Sequence, residues 1–204
     1  MDKFTQLTAV AAPMPLKNVD TDYIIRVERC AQTPWDQLGQ YAFEMARFLP
    51  DGKENPEFVL NQPRYRGAQI LLCGEFFGTG SSREMAVWAI AGIGIRCLIA
   101  PSFGQIFYSN CFQNGVLPIV LPAATVDALM AEATAPGAQP FTIDLEKLTI
   151  NGKVPFEVTP RRRKMLMEGL DELGFTLTMA PKIDAFQAED RKRRPWIYAG
   201  FNAG

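Results

Sequence analysis

Three short apolar runs between residues 68 and 121 constrain the fold more than any other feature of the sequence. Because they contain few polar side chains and are bounded by glycine or proline, they are typical of strands buried on both faces of a sheet. The runs are residues 68–73 (AQILLC), 97–100 (CLIA) and 116–121 (VLPIVL). Strands of this kind occur mostly in parallel sheets covered by helices, so the pattern predicts the α/β class.

The segments between these runs contain start and stop signals of helices. Ser81, with Glu84 three positions later, matches a capping box and predicts a helix that Gly92 would end. Further helices are predicted over 105–112 and 125–133. Strands and helices alternating at this spacing predict parallel β-α-β units with right-handed crossovers.

Beyond residue 135 the pattern changes. Short apolar segments at 148–150 and 154–158 flank Asn151-Gly152, a pair that favours a hairpin turn. The sequence therefore predicts a late β-hairpin beside a mostly parallel core sheet.

The C-terminal third is predicted to be helical. Thr159 and Pro160 favour the N-cap and first turn of a helix over about 161–172. The charged segment 182–194 is expected to form a surface helix. Without an internal repeat or a disordered linker, we expect one domain over residues 1–204, with a charged C-terminal tail at about 182–204.

Composition restricts both location and chemistry. The chain has 204 residues, 48% of them hydrophobic, and a net charge of −1, so no global field attracts nucleic acid or anionic lipid. No apolar run approaches the roughly 20 residues that span a bilayer, and we expect a cytoplasmic protein. The absence of histidine excludes Ser-His-Asp and Cys-His nucleophile systems and imidazole acid–base catalysis.

The cysteines do not have the spacing of a metal site. Cys30, Cys73, Cys97 and Cys111 contain no C-x-x-C pair, which argues against zinc or an iron–sulfur cluster bound by this chain. Cys73 and Cys97 lie in apolar runs and are expected to be buried thiols.

The glycine-rich segment 74–84 (GEFFGTGSSRE) is the strongest candidate for a functional site. It follows a predicted strand and opens a predicted helix, which is where open α/β sheets bind ligands. Free N–H groups and the helix dipole would favour an anion, and Arg83 could bind a carboxylate through two parallel hydrogen bonds. Ser81 could equally be an ordinary helix cap. Nucleotide motifs do not match, because Gly80 replaces the P-loop lysine and Arg83 the third glycine of a dinucleotide fingerprint.

Several ordered motifs show a family resemblance. They are Asn18-Val19-Asp20-Thr21-Asp22, Gly78-x-Gly80-Ser81-Ser82-Arg83-Glu84, Ile99-Ala100-Pro101-Ser102-Phe103, Asn114-Gly115-Val116-Leu117-Pro118 and Gly169-Leu170-Asp171-x-x-Gly174. Together these motifs, spread over about residues 6–190, resemble the small subunits of isopropylmalate isomerase in the aconitase superfamily.

The resemblance implies a swivelling β/β/α domain of the aconitase C-terminal type. It further implies a large partner subunit that carries a [4Fe–4S] cluster, so that this chain binds no cofactor itself and is catalytically incomplete alone. The implied reaction is a hydro-lyase reaction of leucine biosynthesis on a small hydroxy-dicarboxylate. Water is lost and re-added between 2-isopropylmalate and 3-isopropylmalate, with the cluster iron as Lewis acid.

The family's site roles transfer to matching positions of this chain. Ser81 would be the base that moves the substrate proton, Arg83 would bind a substrate carboxylate, and Asp22 would help to organise the site. Since a serine hydroxyl is a weak base, nearby positive charge must stabilise its alkoxide. Asp20 and Asp22 could instead simply stabilise a turn. Further candidates for substrate binding are Ser82, Gly80, Thr79, Arg26 and Arg29.

The chain also departs from the family pattern, Gly-x-Asn-Phe-Gly-Cys-Gly-Ser-Ser-Arg-Glu-His-Ala-Pro-Trp-Ala. Phe76, Thr79, Met85 and Val87 replace its asparagine, cysteine, histidine and proline. These changes leave open a small subunit for another alkyl-substituted malate, or a non-catalytic paralogue that binds the partner. Where the family continues with proline and lysine, this chain has Arg26-Val27-Glu28-Arg29, whose arginines could replace that charge or form surface salt bridges.

Overall fold

The computed structural model describes residues 1–80 and 83–199, and its strands form two four-stranded sheets. The strands are β1 Gln6–Ala9, β2 Ala11–Met14, β3 Ile70–Cys73, β4 Cys97–Ala100, β5 Leu117–Val120, β6 Phe141–Asp144, β7 Thr149–Ile150 and β8 Val154–Pro155. The α-helices are α1 Thr21–Ile24, α2 Val27–Gln32, α3 Glu44–Arg47, α4 Glu84–Gly92, α5 Gln105–Gln113, α6 Ala123–Thr134, α7 Pro160–Glu168, α8 Glu172–Leu177, α9 Ala180–Arg193 and α10 Pro195–Tyr198. Short 3-10 helices span Trp35–Tyr41 and Val59–Asn61. Within the described part of the chain, no helix has the length and apolarity needed to cross a membrane.

A parallel sheet in the order β2-β3-β4-β5 forms the centre of the fold. Helix α4 connects β3 to β4 and α5 connects β4 to β5, which confirms the predicted β-α-β units. Edge strand β2 was not predicted.

Both faces of this sheet are buried, as the continuous apolar runs predicted. In β3, Leu71 and Cys73 belong to a core cluster shared with α4, whereas Ile70 and Leu72 belong to a second cluster on the other face. The second cluster includes side chains of α6 and of the antiparallel sheet, so the parallel sheet lies between two apolar layers.

The antiparallel sheet has the order β1-β6-β7-β8. Its β7–β8 hairpin turns at Asn151 and Gly152, whose φ angles are 52° and 67°. Such paired positive values are why Asn-Gly is favoured in tight hairpins, and they confirm the predicted late hairpin.

Two predicted helix boundaries were wrong. Helix α4 begins at Glu84 with Arg83 at the N-cap and no side-chain capping bond, while Ser81 lies outside the described residues. Helix α7 ends at Glu168 rather than near 172, because Gly169 adopts a left-handed conformation (φ 73°) that terminates it. The predicted surface helix near 182–194 is confirmed as α9.

Candidate active site

The glycine-rich segment joins the end of β3 to the start of α4, at the carboxyl edge of the parallel sheet. Gly78 has φ 72°, and a Cβ at this position would lie 2.2 Å from Cγ of Phe107. Glycine is therefore required at this turn both for its backbone conformation and for the close approach of α5.

The pairing of β2 with β3 continues beyond the two strands. The N–H of Asn18 donates to the carbonyl of Glu75 (2.8 Å), and the N–H of Thr21 donates to the carbonyl of Thr79 (3.0 Å). The N–H groups of Gly78 and Thr79 donate to the carbonyl of Val19, at 2.7 and 3.2 Å. These bonds hold the start of α1 against the glycine-rich segment.

These backbone hydrogen bonds correct the expectation that the N–H groups of the glycine-rich segment are free. The N–H groups of Gly78 and Thr79 are not free for an anion, because Val19 already accepts both. The N–H of Phe76 is also bound, at 2.9 Å from the hydroxyl oxygen of Ser102. The backbone N–H groups of residues 76–79 are therefore already used within the chain.

Arg83 and Asp22 form the central ion pair of the site. Nη1 of Arg83 lies 2.5 Å from Oδ1 of Asp22, and Nη2 lies 3.1 Å from Oδ2. The Arg83 side chain is 17% exposed and that of Asp22 is 54% exposed, so the pair is open to solvent on the carboxylate side. Hydrogen bonds to Asp22 raise the pKa of the Arg83 guanidinium above its ordinary value, so this cation is permanent.

Asp20 and Asp22 have different roles. The Asp20 carboxylate accepts the N–H of Tyr23 at 2.7 Å and caps α1. Asp22, in the first turn of the same helix, is directed to Arg83. Asp20 therefore stabilises a turn, as the alternative prediction stated, whereas Asp22 contacts Arg83.

Arg26 and Arg29 both contact Glu44. Nε of Arg29 lies 3.0 Å from Oε2 of Glu44, and its guanidinium stacks 4.2 Å from the centre of the Tyr41 ring. Arg26 is 3.8 Å from Glu44 and 3.3 Å from Glu28. Sequence reasoning did not single out Glu44, because nothing in its local sequence indicates pairing with arginines 15 and 18 positions earlier. Substrate binding by Arg26 and Arg29 stays a prediction.

The other candidates are placed as follows. Gly80 is exposed and Thr79 half-buried, whereas Ser81 and Ser82 lie outside the described residues. Met85 packs against the α4 core cluster. Phe76 is 53% exposed and has φ 57°, a left-handed conformation that an aromatic side chain rarely adopts.

The described residues do not fit an iron–sulfur cluster. Residues 1–80 and 83–199 contain no group of three or more histidine, cysteine, aspartate or glutamate side chains placed to hold a metal ion. Burial raises the pKa of the Cys73, Cys97 and Cys111 thiols, which keeps them protonated rather than as the thiolates that ligate iron.

Comparison with known proteins agrees with this fold. Residues 1–124 match the family described as the aconitase C-terminal domain. The 3-isopropylmalate dehydratase small subunits of Jannaschia sp. and Paracoccus denitrificans are 52% and 49% identical to this chain, each over 97% of this chain and 100% of the relative.

A solved structure, the 3-isopropylmalate dehydratase of Methanocaldococcus jannaschii, superposes with a TM-score of 0.62 over 91% of this chain and 99% of the other. At 24% identity it supports the fold alone. By its identity to the bacterial relatives over nearly its whole length, the chain belongs to the family of 3-isopropylmalate dehydratase small subunits.

Proposed function

We propose that this chain is the small subunit of a hydro-lyase that interconverts 2-isopropylmalate and 3-isopropylmalate for leucine biosynthesis, and that it acts only with a large subunit. The names of its relatives and their full-length identity support this assignment. The observation that carries it is the two-bonded Arg83–Asp22 pair at the carboxyl edge of the parallel sheet, where α/β proteins bind ligands.

Arg83 is suited to bind a carboxylate of the substrate. A guanidinium has five N–H donors, and the two bonds to Asp22 use one donor on each terminal nitrogen. Asp22 therefore fixes the orientation of the guanidinium, and the donors along its other edges are proposed to bind the dicarboxylate. A permanent cation here would also stabilise negative charge on a neighbouring group.

Ser81 is proposed to be the base. In the reaction, a proton leaves one substrate carbon for the serine oxygen while hydroxide leaves the neighbouring carbon, and the C–C bond becomes a double bond. Re-addition of the proton and of hydroxide at exchanged positions gives the isomer. Because Arg83 follows Ser81 by two positions, its positive charge would stabilise the serine alkoxide that the first step needs.

The large subunit is proposed to close over this edge and to hold the [4Fe–4S] cluster. The protonated, buried thiols of this chain support placing the cluster on the partner. Exposed apolar side chains surround the edge: Leu16 follows β2, Phe76 follows β3, Ile106 follows β4, and Val120 ends β5. We call these four residues the apolar rim and propose that they contact the large subunit.

The test is Ser81→Ala in the complex reconstituted with the large subunit. Loss of the base is expected to lower kcat by about 10²–10⁴-fold, while size-exclusion chromatography shows normal assembly. Ser109→Ala on α5 is the matched control and should keep wild-type turnover, because this hydroxyl donates to the Gln105 carbonyl and accepts from Arg162. A Ser81→Ala complex with wild-type kcat would remove Ser81 from the mechanism. A wild-type complex inactive on isopropylmalate would overturn the proposed function.

A further inference from the structure

One side-chain amide, that of Asn114, joins the first turn of α4 to the end of α5. Its Nδ2 donates to Oε1 of Glu84 at 2.9 Å and to the carbonyl of Asn110 at 2.9 Å. Its Oδ1 accepts the indole N–H of Trp88 at 2.8 Å. Glu84 and Trp88 are one helical turn apart on α4, so a single amide holds two points on the same face of that helix.

The partners leave the Asn114 amide only one orientation. An indole N–H can only donate, so it must face the amide oxygen, whereas the Glu84 carboxylate and the Asn110 carbonyl can only accept. Both amide protons and the amide oxygen are therefore used. A substitution at Asn114 would leave partners on both helices without their bonds, and these groups are half-buried.

The position of this contact matters because α4 begins without a side-chain cap. Arg83 is the N-cap residue, with extended backbone angles (φ −120°, ψ 120°), and Glu84 is the first helical residue. A capping box would have used the Glu84 carboxylate to hold the helix start, but that carboxylate is bound to Asn114. The start of α4 is thus fixed from outside, by α5.

Arg83 is consequently held from two sides. Asp22 on α1 fixes its guanidinium, and Asn114 fixes the backbone beside it through Glu84. We propose that Asn114 is a positioning residue, which acts through Glu84 to place Arg83 for carboxylate binding. This inference rests on the proposed function, since it concerns the same site.

The test is a double-mutant cycle in the reconstituted complex with 3-isopropylmalate. Asn114→Ala is expected to raise KM by about 10-fold or more, because a small displacement of a binding group weakens its contacts strongly. In an Arg83→Lys background the same change should raise KM by less than about 2-fold, since the binding geometry that Asn114 supports is already lost.

Asn61→Ala is the matched control. Asn61 also donates two hydrogen bonds from its amide, to the carbonyls of Arg47 and Asn55 at 2.7 and 2.8 Å. It lines a cavity with Ala68 and Ile95, which precede the amino-terminal ends of β3 and β4, whereas Arg83 follows the carboxyl end of β3. Asn61→Ala should change KM little, and by the same factor with and without Arg83→Lys. If Asn114→Ala does not fold, Glu84→Ala removes the same bond from the other side, and Glu84→Gln, which retains an acceptor for Nδ2, should restore KM.

The outcomes separate the two proposals. Coupling between positions 114 and 83, with rescue by Glu84→Gln, supports the positioning role. Effects of Asn114→Ala and Arg83→Lys that simply multiply would overturn it and leave the proposed function standing. An inactive wild-type complex would instead remove the proposed function, and this inference with it.

Discussion

Arg83 is bound to Asp22 in the free chain, although the same guanidinium is proposed to bind substrate. The two bonds are end-on, one from each terminal nitrogen, so Asp22 aligns the planar group while leaving its other donors. This arrangement depends on the fork shape of arginine. A lysine at the same position would provide the charge but not the alignment.

We therefore expect Arg83→Lys to raise KM for isopropylmalate by about 10²-fold in the assembled enzyme, since one charge-assisted hydrogen bond contributes about 1.5–3 kcal/mol. Arg66→Lys is the matched control, because Arg66 makes a similar two-bonded pair with Glu54 on an exposed surface. Steady-state kinetics of both variants give the comparison. Equal KM values for Arg83→Lys and wild type would contradict carboxylate binding by Arg83.

The members of this pair could be predicted from sequence, but their contact could not. Arg83 and Asp22 were each chosen for their motifs, and they are 61 residues apart. They meet because the segments after β2 and β3 run side by side, with Val19 accepting the N–H groups of Gly78 and Thr79. That register is a tertiary feature and leaves no local sequence signal.

At the scale of elements, strands β3, β4 and β5 were predictable and edge strand β2 was not. Residues 97–100 were predicted as a strand and form β4, because a strand buried on both faces must be apolar throughout. Strand β2 escaped prediction because its sequence, AAPM, contains Pro13 and no β-branched residue. Proline is tolerated there because β2 lies at the edge of the sheet, as does Pro118 in β5.

The buried thiols of these elements lead to a pH prediction. Cys73 in β3, Cys97 in β4 and Cys111 in α5 are fully buried, and desolvation raises the pKa of each above the ordinary 9.0. Above pH 9 the unfolded chain loses these protons while the folded chain retains them. The free energy of unfolding must then fall as pH rises, by up to about 1.4 kcal/mol per pH unit for each thiol.

Urea unfolding of wild type and Cys97→Ala between pH 8 and 10.5 would measure this slope. The variant is expected to be less stable at pH 8 because it loses buried volume, but its stability should fall less steeply above pH 9. Cys30→Ala, at a half-exposed thiol, is the control and should change the slope least. If the free energy of unfolding falls equally with pH in wild type and Cys97→Ala, the Cys97 thiol must have the same pKa in the folded and the unfolded chain.

For the whole molecule, the surface proposed to contact the large subunit surrounds the candidate site. The apolar rim and the Arg83–Asp22 pair lie at the same edge, because the carboxyl ends of parallel strands share one edge of a sheet. An exposed apolar surface around a site is expected where a second protein covers it. The single-domain organisation of the chain stays a prediction, and it fits a body that closes as a unit over this edge.

Replacement of Phe76 is expected to stabilise the free chain but to weaken its binding to the large subunit. Its φ of 57° is unfavourable for an aromatic residue by about 1 kcal/mol, whereas asparagine tolerates this conformation well. The residue is 53% exposed, so the free chain gains little from burying its ring. Phe76→Asn should therefore raise the free energy of unfolding of the isolated chain by about 1 kcal/mol. If the ring is buried against the large subunit, the same change should weaken Kd by about 10-fold or more.

Leu173→Asn is the matched control for this comparison. Leu173 is also strongly exposed, but it follows Asp171, which lines a cavity with Arg96 and Gly115 at the amino-terminal ends of β4 and β5. Leu173 thus lies near the opposite edge of the sheet, and Leu173→Asn should leave the Kd for the large subunit unchanged. Denaturant unfolding of the free chains and titration with the large subunit give both quantities. A Phe76→Asn chain that is more stable yet binds the partner as tightly as wild type would exclude Phe76 from the interface and require the partner to approach another surface.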